Sequence, residues 1–267
     1  MAIANLGMYA LPALAEETAA WWAGLARAFR DEGLDEVPAD LSCGDMRAHW
    51  RDPALLFGQT CGYPLTHDFS DCLTVVATPV YKAAGCEGSG YRSVIVVRAK
   101  EPAEELAALA GRRAAINSRD SQSGYSALRH AVAPLAGGGA FFSEVLESGG
   151  HRASMLAVAE ERADVAAVDC VTFALHQRHE PDLTDRLRVL AHSADAPALP
   201  YVTAVGRDAA CVEGLRAGLR RACADPELAA VREALLIEGV EVLPERAYER
   251  ILEMEREAEA LGYPDVR

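Results

Sequence analysis

The chain has 267 residues, 51% of them apolar and 25% charged, with 26 Lys+Arg against 40 Asp+Glu and a formal net charge of −14. This composition supplies ample core for one large or two small domains and excludes wholesale disorder. It also argues against a general nucleic-acid binder, which needs a basic face, so any bound anion must be held by a local site against the global field.

No run of about 20 apolar residues lacks charge, so no membrane insertion is expected. Ala2 to Ala15 is uncharged and ends Ala13-Leu14-Ala15, loosely like a secretory cleavage site. The first basic residue is Arg27, however, and Pro12 interrupts the run. It therefore reads as a first strand and the start of a helix, not as a signal. As written, the sequence suggests a cytoplasmic protein, with the periplasm as the alternative if the start omits a signal. Seven widely spaced cysteines without a C-x-x-C pair suit a reducing compartment, with most thiols as small buried groups. No metal and no cofactor is expected.

In chain order, Ile3–Met8 reads as a short buried strand. A helix follows from Pro12 to about Asp31, with Leu14, Trp21, Trp22, Leu25 and Phe29 on one face and Gly33 as its stop. Asp40–Cys43 is a candidate second strand, and Asp45–Trp50 a short helix. Leu73–Thr78 is apolar and β-branched, hence a strand. The Gly-rich turn 85–90 leads into the buried strand Ser93–Arg98. Glu101–Leu109 is expected to be helical, Arg113–Asn117 a strand, and Ser121–Leu135 a helix. After a short mixed stretch, His151–Arg162 reads as a helix, Val165–Val168 as a strand, Phe173–His179 as a helix and Arg188–His192 as a strand. Tyr201–Val205 is a further strand, and three helices close the chain over about 210–223, 225–236 and 245–261.

Alternating strands and helices argue for an α/β fold with two mainly parallel sheets. Extended, Pro-marked stretches at Thr78–Lys82 and Ser193–Pro200 suit a two-strand hinge. The expected division is residues 1–80 plus 194–267 as one lobe and 81–193 as the other. A ligand cleft is expected between them.

The strongest chemical signal is the run Ala115-Ile-Asn-Ser-Arg-Asp-Ser-Gln-Ser-Gly-Tyr125. It joins a strand end to a helix start rich in hydroxyl and amide groups. The first N–H groups of a helix lack internal partners, and together with the helix dipole they form an anion site. Ser121, Gln122 and Ser123 add side-chain donors. A plain N-cap at Asp120 or Ser121 explains the same residues without a ligand. Ser148-Gly-Gly-His151 precedes a second helix, where His151 is either a donor or a cap or core residue. Asp169 ends a buried strand at the edge where open α/β sheets place ligands, or else caps the next helix.

Together with Gly90-Tyr91-Arg-Ser-Val-Ile-Val-Val97, Phe57-Gly58, Gly150-His151 through Val158, and Ala163 through Asp169, these segments resemble the phosphate/phosphite/phosphonate substrate-binding proteins of ABC transporters. The resemblance runs from about Asp52 to about Val205. It implies a two-lobed type II periplasmic-binding-protein fold that closes on a small oxyanion (phosphate, phosphite or a simple phosphonate) for uptake or sensing. An ABC permease is the partner this implies, and the chain itself would be a monomer.

By that resemblance Tyr91, Ser121, Gln122, Ser123 and His151 contact the ligand's phosphoryl group. Phe57 falls where many members carry a ligand-facing tyrosine, with Gln59, Thr60 and Cys61 in the loop beyond. Relatives that grip an aminoalkylphosphonate carry acidic residues where this chain has Val171 and Leu199, so the ammonium of such a ligand would be unpaired. Asp169 would accept a hydrogen bond from a protonated ligand oxygen.

The alternatives are enzymes and interaction proteins. Ser123, His151 and Asp169 contain the residue types of a hydrolase triad, but Asp-Ser-Gln-Ser-Gly is not G-x-S-x-G. A lyase or cofactor-biosynthesis enzyme on the same fold, acting on a small carboxylate, would use Asp169 or His151 as its acid–base group. A regulatory protein would dock a partner through the C-terminal helix, whose simpler reading is packing on its own lobe.

Overall fold

Trp21, Trp22, Leu25 and Phe29 recur at helical spacing, and the helix Ala15–Asp31 buries all four. Gly33 follows with φ +87°, a conformation glycine adopts without a Cβ clash. Residues 2–267 are described by the structure, a computed structural model. The chain divides into two compact units, residues 2–82 with Pro197–Ala247, and Ala83–Ala196 with Tyr248–Arg267.

The first unit is built on a five-stranded sheet in the order Ile3–Asn5, Leu55–Gln59, Tyr201–Ala204, Leu73–Tyr81, Ile237–Glu241. The first pair is parallel and the other three pairings are antiparallel. The helix Ala209–Ala224 packs on Ala15–Asp31. Gly218 permits that approach, since a Cβ there would lie 2.5 Å from the Phe29 ring.

The second unit carries a five-stranded sheet in the order Leu187–His192, Ser93–Arg98, Val165–Asp169, Arg113–Ile116, Glu144–Glu147. Arg113–Ile116 pairs in parallel with both neighbours, and the remaining two pairings are antiparallel. Its core joins Ile95, Val97, Ile116, Leu128 and Val165 to Ala258, Tyr263 and Val266 from the end of the chain.

The α/β class stands, with mixed rather than mainly parallel sheets. The reason is chain direction: Tyr201–Ala204 inserts between two strands that it opposes, and Ser93–Arg98 opposes both of its neighbours. The lobe boundary also changes. Tyr248–Arg267 belongs to the second unit, because Ile251, Met254, Ala258, Tyr263 and Val266 are buried there. The chain therefore passes between units after Lys82, after Ala196 and again after Ala247, three times instead of two.

Several elements differ from the sequence reading. Asp40–Cys43 forms no strand. It is tied to the sheet edge at Ser42, whose N–H donates to the Ala4 carbonyl at 2.7 Å and whose carbonyl accepts from Asn5 Nδ2 at 3.0 Å. Glu101–Leu109 is helical only as a short turn over Leu106–Leu109. The carbonyls of Glu101 and Ala103 accept from the Arg188 guanidinium instead of from helical N–H groups. Among the described residues, no helix is long and apolar enough to cross a membrane.

Candidate functional site

Two parallel strands of the second unit, Arg113–Ile116 and Val165–Asp169, deliver their carboxyl ends to one sheet edge. Ser93 lies opposite Asp169 in the antiparallel neighbour. After Ile116 the chain turns through Asn117–Asp120 into the helix that holds Ser121, Gln122 and Ser123.

Ser121 is extended at φ −99°, ψ 129°, and its Oγ caps the helix by accepting from the Gly124 N–H at 3.0 Å. The first turn, Gln122–Ser126, is a π-turn: the Ser126 N–H reaches back to the Ser121 carbonyl at 3.0 Å. Such wide turns are frequent at functional sites, where they re-aim side chains and backbone N–H groups. The turn is pinned to the sheet by Ser93 Oγ, which donates to the Ser123 carbonyl at 2.9 Å. Gly124 has to be glycine here, since a Cβ would lie 1.9 Å from Asn117 Oδ1 and 3.2 Å from His151 Cε1. Asn117 Oδ1 is buried without a hydrogen-bond partner against this bare backbone.

The second helix, His151–Ala159, starts beside the first because Ser148 ties its leading loop to the same strand end. The Ser148 N–H and Oγ both donate to the Ile116 carbonyl, at 2.8 and 3.0 Å, and the Gly149 N–H donates to the Asn117 carbonyl at 2.9 Å. This brings His151 Nε2 within 2.8 Å of Ser123 Oγ. His151 is half-buried as a residue, and its Nδ1 is buried. Burial, reinforced by the nearby His176, pushes the imidazole down to about 4, against the pull of a hydrogen bond to the Ala167 backbone. At neutral pH the ring is therefore uncharged. Nε2 and the Ser123 hydroxyl share one hydrogen bond, whose direction follows the ring's tautomer. A negative charge brought to the pair would favour the protonated ring, which donates from Nε2 and leaves the Ser123 O–H free to donate elsewhere.

Six of the sequence-predicted residues lie in this unit. Ser121, Gln122, Ser123 and His151 gather at the paired helix starts. Gln122 is buried, with Nε2 3.4 Å from the Met254 sulfur of the C-terminal helix. Tyr91 is buried on the hairpin strand Gly90–Tyr91, opposite Cys86. Asp169 is fully buried, and its Oδ1 accepts from the Val171 and Thr172 N–H groups at 2.8 and 2.9 Å. It is the N-cap of the helix Cys170–His179, and that cap accounts for it without a ligand. Val171 is buried and apolar, so no acidic partner for an ammonium stands there.

The other four lie in the first unit. Phe57 is fully buried and faces the core, with ring centroids 5.1 Å from Phe29 and 5.0 Å from Tyr201, so no part of it is exposed to a ligand. Gln59 Nε2 donates to Tyr81 Oη at 2.9 Å and to the Leu199 carbonyl at 3.0 Å. The Thr60 hydroxyl donates to the Cys61 carbonyl, and Cys61 precedes the short helix Gly62–Thr66. Sequence reasoning missed Ser93, Asn117 and Ser148. The first two carried a usable signal, a polar residue at the end of a buried strand.

Among the described residues no group of His, Cys, Asp or Glu is arranged to hold a metal ion. The model of the periplasmic substrate-binding proteins of ABC phosphonate transporters matches residues 55–248. Among curated proteins none matches the chain. The fold is shared with several solved structures. PhnD1 from Prochlorococcus marinus, in complex with methylphosphonate, is 14% identical, with a TM-score of 0.76 over 97% of this chain and 98% of that one. A binding-protein component of an ABC phosphonate transporter from Pseudomonas aeruginosa is 17% identical, with a TM-score of 0.75 over 97% and 87%. XAC2383 from Xanthomonas citri, bound to ATP, is 17% identical, with a TM-score of 0.68 over 97% of each chain. The matched span, about three quarters of the sequence, places the chain in the family of periplasmic substrate-binding proteins of ABC phosphonate transporters.

Proposed function

We propose that this protein binds a small tetrahedral oxyanion (phosphate, phosphite or a simple phosphonate) at the Ser121–Ser123 turn and His151, and presents it to an ABC permease without chemical change. The observation that carries the reading is the hydrogen bond between Ser123 Oγ and His151 Nε2 at the mouth of a glycine-tight π-turn. Hydroxyls, first-turn N–H groups and a neutral imidazole there form a donor-rich pocket that acquires positive charge when an anion enters. Val171 gives no counter-charge for an aminoalkyl group, which favours compact ligands. The protein acts as a monomer in this reading. A lyase on this fold would need an accessible acid–base group, and the buried cap role of Asp169 disfavours it for that part.

The test is a thermal-shift panel with phosphate, phosphite, methylphosphonate, sulfate, small carboxylates and ATP. Expected is a rise of several degrees with at least one phosphorus oxyanion, since ligand at about 100 times Kd adds about 2.7 kcal/mol. The rise should vanish in the Ser121→Ala/His151→Ala variant. Stabilisation by carboxylates alone, or conversion of a carboxylate on incubation, would refute the reading.

A further inference from the structure

The hairpin Cys86–Glu87/Gly90–Tyr91 brings a second chemical feature to the second unit. Cys86 Sγ lies 3.4 Å from Cys170 Sγ, although the two residues are 84 apart in sequence. Three backbone features hold them there. Gly85, at φ +102°, leaves room for the approach, since a Cβ on it would lie 3.1 Å from Cys170 Cβ. The Cys170 N–H donates to the Arg92 carbonyl at 3.2 Å, tying the helix start to the strand that leaves the hairpin. The Cys86 N–H closes a turn on the Ala83 carbonyl at 3.0 Å. Cys86 is half-buried and Cys170 buried. Of the seven cysteines only Cys61 and Cys170 are buried, so the expectation that most serve as core groups fails.

We propose that Cys86 and Cys170 are a modification site, a dithiol that oxidises to a disulfide and locks the Tyr91 hairpin to the Asp169-capped helix. A disulfide needs its sulfurs at about 2.05 Å, so the pair closes by a shift of little more than 1 Å shared between a two-residue strand and a helix end. The half-buried Cys86 acts first. Its thiolate attacks one sulfur of a small disulfide such as oxidised glutathione, forming a mixed disulfide and expelling one glutathione thiolate. Cys170 then gives its proton to that thiolate and attacks the Cys86 sulfur, expelling the second glutathione. The protein loses two hydrogens and two electrons, and one oxidised glutathione becomes two reduced ones. The Cys86 contact, burial and the neighbouring Asp169 carboxylate hold the Cys170 thiol well above the ordinary thiol range, consistent with its acting second. The site is independent of the oxyanion reading, since it requires no ligand.

The full chain, reduced and then incubated with oxidised glutathione, is alkylated, digested with trypsin and weighed. Cleavage after Lys82, Arg92, Arg162 and Arg178 isolates Cys86 in peptide 83–92 and Cys170 in peptide 163–178. Expected is a linked 83–92/163–178 species, lighter than the two free peptides by two hydrogens, as the main product. The oxidised chain should melt about 5–10 °C higher than the reduced one, because the link closes a long loop. Cys86→Ser, a change at a half-buried position, should abolish both the linked species and the rise. Glutathione adducts or free thiols on both peptides with no linked species would overturn the proposal. So would a linked species that leaves the melting temperature unchanged or lowers it.

Discussion

At the scale of single residues, His151 is the group whose state the site controls. Its folded value of about 4 lies below the ordinary 6.5, so between those pH values the unfolded chain holds a proton that the folded one refuses. Ligand-free stability is therefore complete above about pH 6.5 and declines as pH falls toward 4. His176, also lowered by burial, acts in the same direction. Urea denaturation at pH 7 and pH 5 should differ by about 1–2 kcal/mol on this account, and His151→Asn should shrink the difference. On the proposed reading an oxyanion at this site reverses the preference, so calorimetry in buffers of different ionisation enthalpy should register proton uptake on binding. The residues legible from sequence were those whose chemistry and local position agreed: Ser121 and Ser123 stand where a strand meets a helix, and His151 opens another helix. Phe57 was misplaced because a buried aromatic strand residue and a ligand-facing one look alike in a single sequence. Only packing against Phe29 and Tyr201 separates them.

At the scale of elements, the closing segment carries more weight than its polar composition suggests. The helix Glu249–Ala260 buries only Ile251, Met254 and Ala258, and the chain then folds over with Tyr263 and Val266 in the core. Tyr263 Oη donates to the Arg267 carbonyl at 2.6 Å, and Arg129 donates to Glu255 at 2.9 Å and to the Pro264 carbonyl at 2.9 Å. Tyr263→Ala should cost about 3–5 kcal/mol, measured by denaturant unfolding. Wild-type stability in that variant would mean that the terminal segment is dispensable. Strong periodicity made Ala15–Asp31 readable in advance. The strand Ile237–Glu241 went unread between two expected helices, because an edge strand with a glycine and two glutamates lacks the apolar run that marks a buried one. The stretch 101–105 failed for another reason. A distant arginine, Arg188, satisfies its carbonyls, and no local propensity encodes that.

At the scale of the whole molecule, charge and fold pull in opposite directions. A net charge of −14 repels the anion that the second unit is proposed to hold. Raising ionic strength from about 10 mM to about 150 mM shortens the Debye length from about 30 Å to about 8 Å and screens that repulsion. Stopped-flow association of phosphate or methylphosphonate should therefore become several-fold faster with added salt, the reverse of a basic anion-binding protein. A rate that falls with salt would instead mean that a local positive field steers the ligand. Alternation of strands and helices made the α/β class readable, but strand direction is set by where the chain re-enters each sheet, which no local pattern records. The third passage between units, after Ala247, has a consequence for synthesis. Every residue of the first unit has left the ribosome before Tyr263 and Val266 emerge to seal the second. The nascent second unit thus waits with an open core until Tyr248–Arg267 has emerged, so the proposed anion site matures only after the whole first unit has been made.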